Sequence, residues 1–301
     1  MKLHRIYTPL TAAPFRRTEE YMEFAPCDAL KPYIRCFWGS RRAVTREETA
    51  ADALDIVIPD TCMDIIFTVD FTNNRIENRF CGIDDRTFAT CADRSAKRVI
   101  FVFAIRFYPW GAALFAEESL RGTRNAFLDA GCHFPKIKKE IENHLFEAHD
   151  MSQFIPVAER ILQRHLQDRH QNASVFQAVA TILENRGNVQ MEVLRQDSFV
   201  GSRQLERLFL EYVGVSPKSL AAMVRHQYVW GELLRSRSFH MADAVYRYGY
   251  ADQAHLCHDF KKYHSMNMAA ARAYALQSGR ERALASQGQN VANIQDGLVQ
   301  I

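Results

Sequence analysis

Hydrophobic residues in the first third of the chain occur in short runs rich in β-branched side chains, which predict strands. The runs 55–59 and 64–69 are each bounded by turn residues. The run 99–107 is apolar on both faces, which is typical of a strand covered on both sides of its sheet. Pro109 and Gly111 then end the pattern. This part of the chain is therefore predicted to be β-rich.

Beyond this point the apolar residues recur with the period of a helix. Ile137, Ile141 and Leu145 share one helical face, and a second stripe predicts a helix over 152–169. The second stripe consists of Phe154, Val157, Ile161, Leu162 and Leu166. Because it precedes the next domain, it is consistent either with the core of the first domain or with the interface of a dimer.

From residue 174 onward the pattern indicates a series of short helices. A capping box begins at Ser174, and Gly187 follows the predicted helix where a left-handed residue is favoured. Ser216 precedes Pro217 as the N-cap of a helix that ends near Arg235. Asp252 caps a later helix in the same way.

Residues 190–217 and 241–268 contain the same unit twice, and matching positions differ by 51. Each copy has a short helix, a tight turn and a longer helix with one apolar stripe, which is the arrangement of a helix-turn-helix. In such units the second helix places its polar face in the major groove of DNA. The predicted connecting helix spans about 28 Å, so the units can reach adjacent groove segments, which repeat about every 34 Å. The matching apolar positions are Leu205 with Leu256, Phe209 with Phe260, and Tyr212 with Tyr263.

Composition and charge narrow the class of protein. A chain of 301 residues that is 48% hydrophobic and 24% charged fits a globular protein of two domains. The formal net charge is +3, and this excess falls within residues 172–275, which hold 12 Lys and Arg against 9 Asp and Glu. The helical part is therefore where a polyanionic partner is expected.

Several classes of protein are disfavoured. The longest apolar run, Val99 to Ile105, is far shorter than the ~20 residues that span a membrane, and the N-terminal residues lack the apolar region of a signal peptide. The seven cysteines form no C-x-x-C pair, which favours reduced thiols in the cytoplasm over disulfides or zinc. Neither a phosphate loop nor a catalytic triad spacing nor H-E-x-x-H is present. We therefore expect no catalytic residues, no metal and no cofactor.

Motifs in the repeated units make the expectation more specific. They are Gly201–Phe209, Gly214–Pro217, and Tyr248–Leu256 with Phe260-Lys261-Lys262. With these motifs, residues 174–274 resemble the DNA-binding domain of the AraC/XylS family of bacterial transcription regulators. The resemblance implies an activator or other sequence-specific regulator that binds double-stranded DNA and contacts RNA polymerase. The first domain, with residues 58–67 and 106–112, is similar to a little-studied domain found ahead of this module, and no function follows from that similarity.

The second unit departs from the family pattern after its longer helix. Ser265, Asn267 and Met268 stand where the family has Gly, Ser and Pro. Asparagine caps a helix as well as serine does, so a seventh helix can still begin. If Ser265 is left-handed, the turn costs about 1 kcal/mol relative to glycine.

The polar faces of the longer helices supply the candidate DNA contacts. They are Ser202, Arg203, Gln204, Glu206 and Arg207 in the first unit, and Gln253, His255, His258, Lys261 and Lys262 in the second. Arginine suits guanine, glutamine suits adenine, glutamate suits cytosine, and serine and lysine suit phosphates. Periodicity alone favours a merely solvated face. The family resemblance instead favours base contacts for Arg203 and Arg207.

Aromatic and charged residues of the first domain form a candidate effector site. They are Trp38, Asp60, Asp64, Arg106, Tyr108 and Trp110. Aromatic walls with a few charges suit a small polar ligand. The opposite interpretation is structural, with the aspartates capping turns and residues 109–111 forming a turn.

The predicted fold class is α+β, with a β-rich N-terminal domain and flanking helices ahead of an all-α DNA-binding domain. The predicted boundaries are 1–171 for a sensory or dimerisation domain, 172–275 for the DNA-binding domain and 276–301 for a mobile tail. The leading function is a transcription regulator controlled by a small molecule or by a partner protein, with a homodimer among the candidate assemblies. The alternative is a DNA-tethered cysteine alkyl-acceptor or another enzyme, which the cysteine spacing disfavours.

Overall fold

The structure is a computed structural model that describes residues 2–10, 22–44, 54–91, 98–148, 150–167, 171–236 and 238–276. Residues 277–301 of the tail predicted to be mobile, and residues 168–170, therefore lie outside the described residues. None of the described helices is long and apolar enough to cross a membrane.

Eight strands are present in the described residues. They are β1 (Met22–Phe24), β2 (Ile34–Val44), β3 (Leu54–Val57), β4 (Met63–Asp70), β5 (Arg75–Cys81), β6 (Phe88–Cys91), β7 (Arg98–Phe107) and β8 (Phe127–Leu128). Six form an antiparallel sheet in the order β1-β2-β7-β4-β5-β8, and β3 pairs with β6 in a second sheet. The strand predicted from the longest apolar run, β7, is central in the larger sheet.

One face of the larger sheet packs on the helices of the first domain. The helices are α1 (Pro135–Leu145) and α2 (Met151–His165). Phe154 of α2 meets Phe103 of β7 edge to face, with ring centroids 4.8 Å apart, and Phe107 stacks on Phe134. Phe154, Ile161 and Leu162 are all buried, so the stripe belongs to the core of the first domain. The structure thus favours the core interpretation of this stripe over the dimer interface.

The predicted end of this helix is wrong. The backbone of Leu166 is already extended, with ψ of 118°, so α2 ends at His165. Leu166 still packs against the core as a partly buried residue. Its hydrophobicity extended the apolar pattern past the end of the helix.

The C-terminal part is helical throughout its described length. Its helices are α3 (Ala173–Glu184), α4 (Met191–Ser198), α5 (Ser202–Tyr212), α6 (Pro217–Arg235), α7 (Met241–Tyr248), α8 (Gln253–His264) and α9 (268–276). This order confirms the α+β class and both helix-turn-helix units.

One predicted N-terminus is corrected. The N-cap of α3 is Asn172, two residues before Ser174, because the side chain of Asn172 accepts a hydrogen bond from the amide of Val175 at 3.1 Å. Asn172 is as good a cap as serine and comes first along the chain. Gly187 has a φ of +77°, as its place after α3 predicted.

The two units differ in what they pack against. The core of the first domain continues into α3 and α5, so Phe103 and Phe209 belong to one hydrophobic cluster. The second unit has a cluster of its own, centred on Trp230 of α6 and Phe260 of α8. Ile58, next to β3, reaches this second cluster. The first domain therefore touches both units.

Candidate nucleic-acid interface

Helix α5 separates a buried stripe from an exposed polar face. Leu205, Leu208 and Phe209 are buried against the core. The five predicted contacts on this helix are all exposed: Ser202, Arg203, Gln204, Glu206 and Arg207. Arg207 lies 3.4 Å from Glu211 one turn later, and both side chains are substantially exposed. Exposed pairs of this kind contribute about 0–1 kcal/mol, so Arg207 can readily exchange this partner for DNA.

Helix α8 is built in the same way. Asp252 caps it by accepting from the amide of His255 at 2.7 Å, as predicted. The five predicted contacts are again exposed: Gln253, His255, His258, Lys261 and Lys262. His255 packs edge to face on Tyr250, and the ammonium of Lys262 lies 4.9 Å from the ring centre of Tyr263. No arginine is among these five side chains, whereas α5 exposes Arg203 and Arg207.

An ion pair that sequence inspection missed anchors α8 to the connecting helix. Arg225 of α6 lies 3.1 Å from Asp259, and both side chains are largely buried. The same guanidinium sits 4.3 Å above the centre of Tyr250. These contacts fix the rotation of α8 about its axis, and so fix which side chains face outward.

A buried histidine pair holds the other end of α8. Nδ1 of His264 is 3.1 Å from Nε2 of His226 on α6, and the His264 ring stacks on Phe260 at 4.4 Å. Burial lowers the pKa of His264 to about 3 and holds the pKa of His226 well below its usual value. Both rings are therefore neutral at physiological pH. The sequence signal that could have indicated this buried pair is a histidine on the apolar face of a predicted helix.

The turn after α8 has the backbone that the sequence suggested. Ser265 is left-handed, with φ of 56°, although it is not glycine. Asn267 then accepts a hydrogen bond from the amide of Ala270 at 2.9 Å, so it caps α9. The departure from the family pattern changes the residues but preserves the helix start.

Four of the six candidate effector residues meet on the other face of the large sheet. Arg106 forms two hydrogen bonds to Asp64, at 2.9 and 3.0 Å, and lies 3.6 Å from Asp60. The indole of Trp38 donates to Asp64 at 2.8 Å, and its ring lies under the Arg106 guanidinium. Burial raises the pKa of Asp60. We call these four residues the Arg106 cluster.

A further carboxyl that the sequence did not single out lies near the Arg106 cluster. Burial, together with the charges of Asp60 and Asp64, raises the pKa of Asp84 to about 7. Asp60 also accepts from the amide of Cys62 at 2.8 Å, so it does cap a turn. Within the described residues, no group of three or more His, Cys, Asp or Glu side chains is arranged to hold a metal ion.

Tyr108 and Trp110 are placed differently from the Arg106 cluster. Their rings stack on each other at 4.6 Å, and the indole of Trp110 donates to the carbonyl of Pro32. Trp110 also lines a crevice with Val175 and Tyr212 of the helical part. It therefore supports the junction of the two domains.

Comparison with known proteins gives two family matches. Residues 22–129 match a family described as "Domain of unknown function (DUF6597)", and residues 196–274 match one described as "Helix-turn-helix domain". No curated protein matches the chain.

Solved structures of similar arrangement come from two bacteria. A transcriptional regulator from Chromobacterium violaceum, described as AraC-type, is 20% identical and covers 35% of this chain and 93% of its own, with a TM-score of 0.32. ToxT from Vibrio cholerae is 12% identical and covers 80% and 98%, with a TM-score of 0.39. ToxT bound to (E)-4-(8-methylnaphthalen-1-yl)but-3-enoic acid is 12% identical and covers 85% and 100%, with a TM-score of 0.38. At such scores the likeness carries no argument, so the assignment rests on the family matches.

The repeated units and their exposed polar helices define a DNA-binding protein of the double helix-turn-helix class. Residues 196–274 form an AraC-type helix-turn-helix domain, which supports a role for the chain as a transcription regulator. This confirms the resemblance that the sequence motifs indicated. Proteins of this family are not enzymes, in agreement with the sequence prediction.

Proposed function

We propose that this regulator reads two adjacent major-groove segments of its operator, with α5 and α8 as the reading helices. The observation that carries the proposal is the exposure of all ten candidate side chains on two helices that are fixed to one connector. Helix α6 has 19 residues and therefore spans about 28 Å. That length suits two successive segments on one face of the duplex.

The two helices take different roles in this proposal. Arg203 and Arg207 of α5 read guanines, because the planar guanidinium matches O6 and N7. Lys261 and Lys262 of α8 neutralise phosphates, which adds affinity without sequence preference. The first half of the operator then carries most of the sequence specificity.

Arg207→Ala is expected to weaken binding to the selected operator by about 5- to 150-fold, the effect of losing a bidentate contact to guanine. Lys261→Ala should instead weaken binding to all sequences by a similar factor. The measurement is a titration of operator and scrambled duplex at fixed salt. Because Arg207 pairs with Glu211 in the free protein, Glu211→Gln is the control and should not weaken binding. Wild-type affinity in Arg207→Ala would show that the docking face is wrong.

We further propose that the first domain senses a small polar effector at the Arg106 cluster. Charges are costly to bury, and an arginine with two carboxylates beside an indole is a typical ligand environment. Asp84 adds a group that changes charge near neutral pH. We also propose that the regulator contacts RNA polymerase and that it self-associates.

Hydrogen bonds connect the Arg106 cluster to the DNA-binding domain. The side-chain amide of Gln227 on α6 donates to the carbonyl of Pro59 at 2.9 Å and accepts from the amide of Leu10 at 2.7 Å. Pro59 directly precedes Asp60 of the cluster. The backbone amide of Leu120, in the first domain, donates to the carbonyl of Glu211 at the end of the reading helix α5. A movement of Asp60 in the Arg106 cluster would therefore displace Pro59 and, through its hydrogen bond, Gln227 of α6.

Operator binding is expected to change amide hydrogen exchange at residues 57–64 of the wild-type protein, because coupling between two sites is reciprocal. Gln227→Leu removes both hydrogen bonds of the buried amide, so this change should be lost while DNA affinity stays within about two-fold. Gln177→Leu, the same substitution on the exposed side of α3, is the control and should keep the response. An equal response in Gln227→Leu and wild type would contradict this path.

The enzyme alternative finds no support in the buried thiols of the first domain. Burial raises the pKa of Cys36 to about 12 and that of Cys62 well above its usual value. An alkyl acceptor needs an accessible thiolate, so these cysteines behave as small hydrophobic residues. The side chain of Cys91 lies outside the described residues.

A further inference from the structure

An exposed aromatic side chain stands in the turn directly before the first reading helix. Phe199 ends α4, and 91% of its surface is exposed. Gly201 follows two residues later as the N-cap of α5. Burying a phenylalanine ring is among the larger contributions that a side chain makes to folding. Phe199 does not make that contribution within the folded chain.

The backbone of Phe199 is also unfavourable for its side chain. Its φ is 57° and its ψ is 25°, in the left-handed region that bulky residues rarely occupy. In the second unit the left-handed residue that ends the short helix α7 is Gly249, with φ of +66°, one position before the residue that the offset of 51 would match. The turn therefore folds without any side chain at this position. A ring that weakens the fold and is not buried is a candidate for a functional contact.

The position of the ring adjoins the proposed DNA face. Recognition helices contact base edges mainly through their N-terminal residues, and α5 exposes Arg203 in its first turn. A side chain in the turn just before that helix is therefore placed at the rim of the same groove. Phenylalanine is one of the side chains that contact the C5-methyl group of thymine there.

We propose that Phe199 is a specificity-determining DNA contact, with its ring packed on the methyl group of a thymine at the edge of the first half-site. The proposal rests on the assignment of α5 as a reading helix. The ring adds one apolar DNA contact beside the polar side chains of α5. Its unfavourable backbone is offset when the complex forms.

The experiment uses operators that the wild-type chain selects from random duplexes. Thymines of the first half-site are replaced one at a time by deoxyuridine, which lacks only the methyl group. Wild type should lose affinity about four-fold at one position, the factor for one buried methyl group. Phe199→Gly should lose about four-fold on the unmodified operator and nothing further at that position. Its melting temperature should equal or exceed that of wild type, because glycine favours the left-handed backbone.

Two further variants separate the ring from the backbone. Phe199→Ala removes the ring but keeps a side chain at positive φ, so it should lose the same affinity without gaining stability. Ser265→Gly places glycine at the left-handed residue that ends α8, so this variant should gain stability without losing affinity. An unstable Phe199→Gly would overturn the proposal by showing that the ring is structural.

The remaining outcomes distinguish this proposal from the proposed function. A wild-type chain that selects no operator would overturn the proposed function and this contact with it. A selected operator that Phe199→Gly binds as tightly as wild type does would overturn this contact alone. Loss of transcription activation with unchanged DNA affinity would likewise overturn it, and would assign the ring to a protein partner.

Discussion

Replacing Arg106 by methionine is expected to lower the free energy of unfolding by about 3–5 kcal/mol, the cost of removing one partner of a buried ion pair. Arg106 is 6% exposed and bonds Asp64 through two nitrogens, with Asp60 nearby. Without the guanidinium, two carboxylates remain buried with no counter-charge. Urea unfolding at pH 7 measures the loss, which appears as a lower midpoint at an unchanged slope.

A matched control lies on β5, two strands away from β7 in the same sheet. Arg75 pairs with Glu77 at 3.1 Å, but the two side chains are 70% and 46% exposed. Arg75→Ala should therefore change the stability by no more than about 0.5 kcal/mol. A loss below about 1 kcal/mol in Arg106→Met would mean that water or a rearranged side chain compensates the aspartates. The Arg106 cluster would then be an open polar surface and a poor candidate for an effector site.

Local signals explain why the helical part could be predicted from the sequence. Asp252 and Ser216 each cap a helix through a hydrogen bond to a residue three positions later, so the signal and its effect lie within one turn. The early start of α3 at Asn172 shows the limit of this reasoning. When two good caps stand close together, the pattern alone does not choose between them.

The pairings that sequence inspection could not specify join residues far apart in the chain. Arg106 meets Asp64 across 42 positions because β7 and β4 are neighbours in the sheet. His226 and His264 meet across 38 positions, and Gln227 reaches Pro59 across 168. Composition and periodicity carry no information on such pairings. They did place the exposed faces of α5 and α8, because exposure follows from helical period once the buried stripe is known.

Helix α8 contacts α6 through two polar pairs on its inner face. Its inner face is held by His264 against His226 and by Asp259 against Arg225, both on α6. The hydroxyl of Thr87 in the first domain also donates to the carbonyl of Tyr263 in the last turn of α8. Helix α8 is therefore positioned by polar contacts with two different elements. A change of charge in this inner face would affect the fold before it affected the DNA face.

Lowering the pH from 7.5 to 4.5 is expected to remove about 2–3 kcal/mol of stability through buried His264, and His226 acts in the same direction. The folded-state pKa values of His264 and His226 lie below their unfolded values of about 6.5, because burial disfavours the charged ring. Below pH 6.5 the unfolded chain therefore binds protons that the folded chain rejects. The stability contributed by neutral rings is full above about pH 6.5 and falls towards about pH 3, where His264 titrates.

The measurement is the slope of unfolding free energy against pH in wild type and in His264→Phe, since phenylalanine can keep the stacking on Phe260. The slope between pH 6 and pH 4 should fall by about 1.4 kcal/mol per pH unit in the variant. The slope of the variant is subtracted from that of wild type, because Asp84 also contributes to both slopes. Its pKa is raised to about 7, so it stabilises the fold as the pH falls below 7. His258→Gln, which alters an exposed histidine of the same helix, should leave the slope unchanged. If His264→Phe keeps the wild-type slope, His264 takes up its proton at the same pH in the folded and the unfolded chain, and the buried neutral ring that positions α8 does not exist.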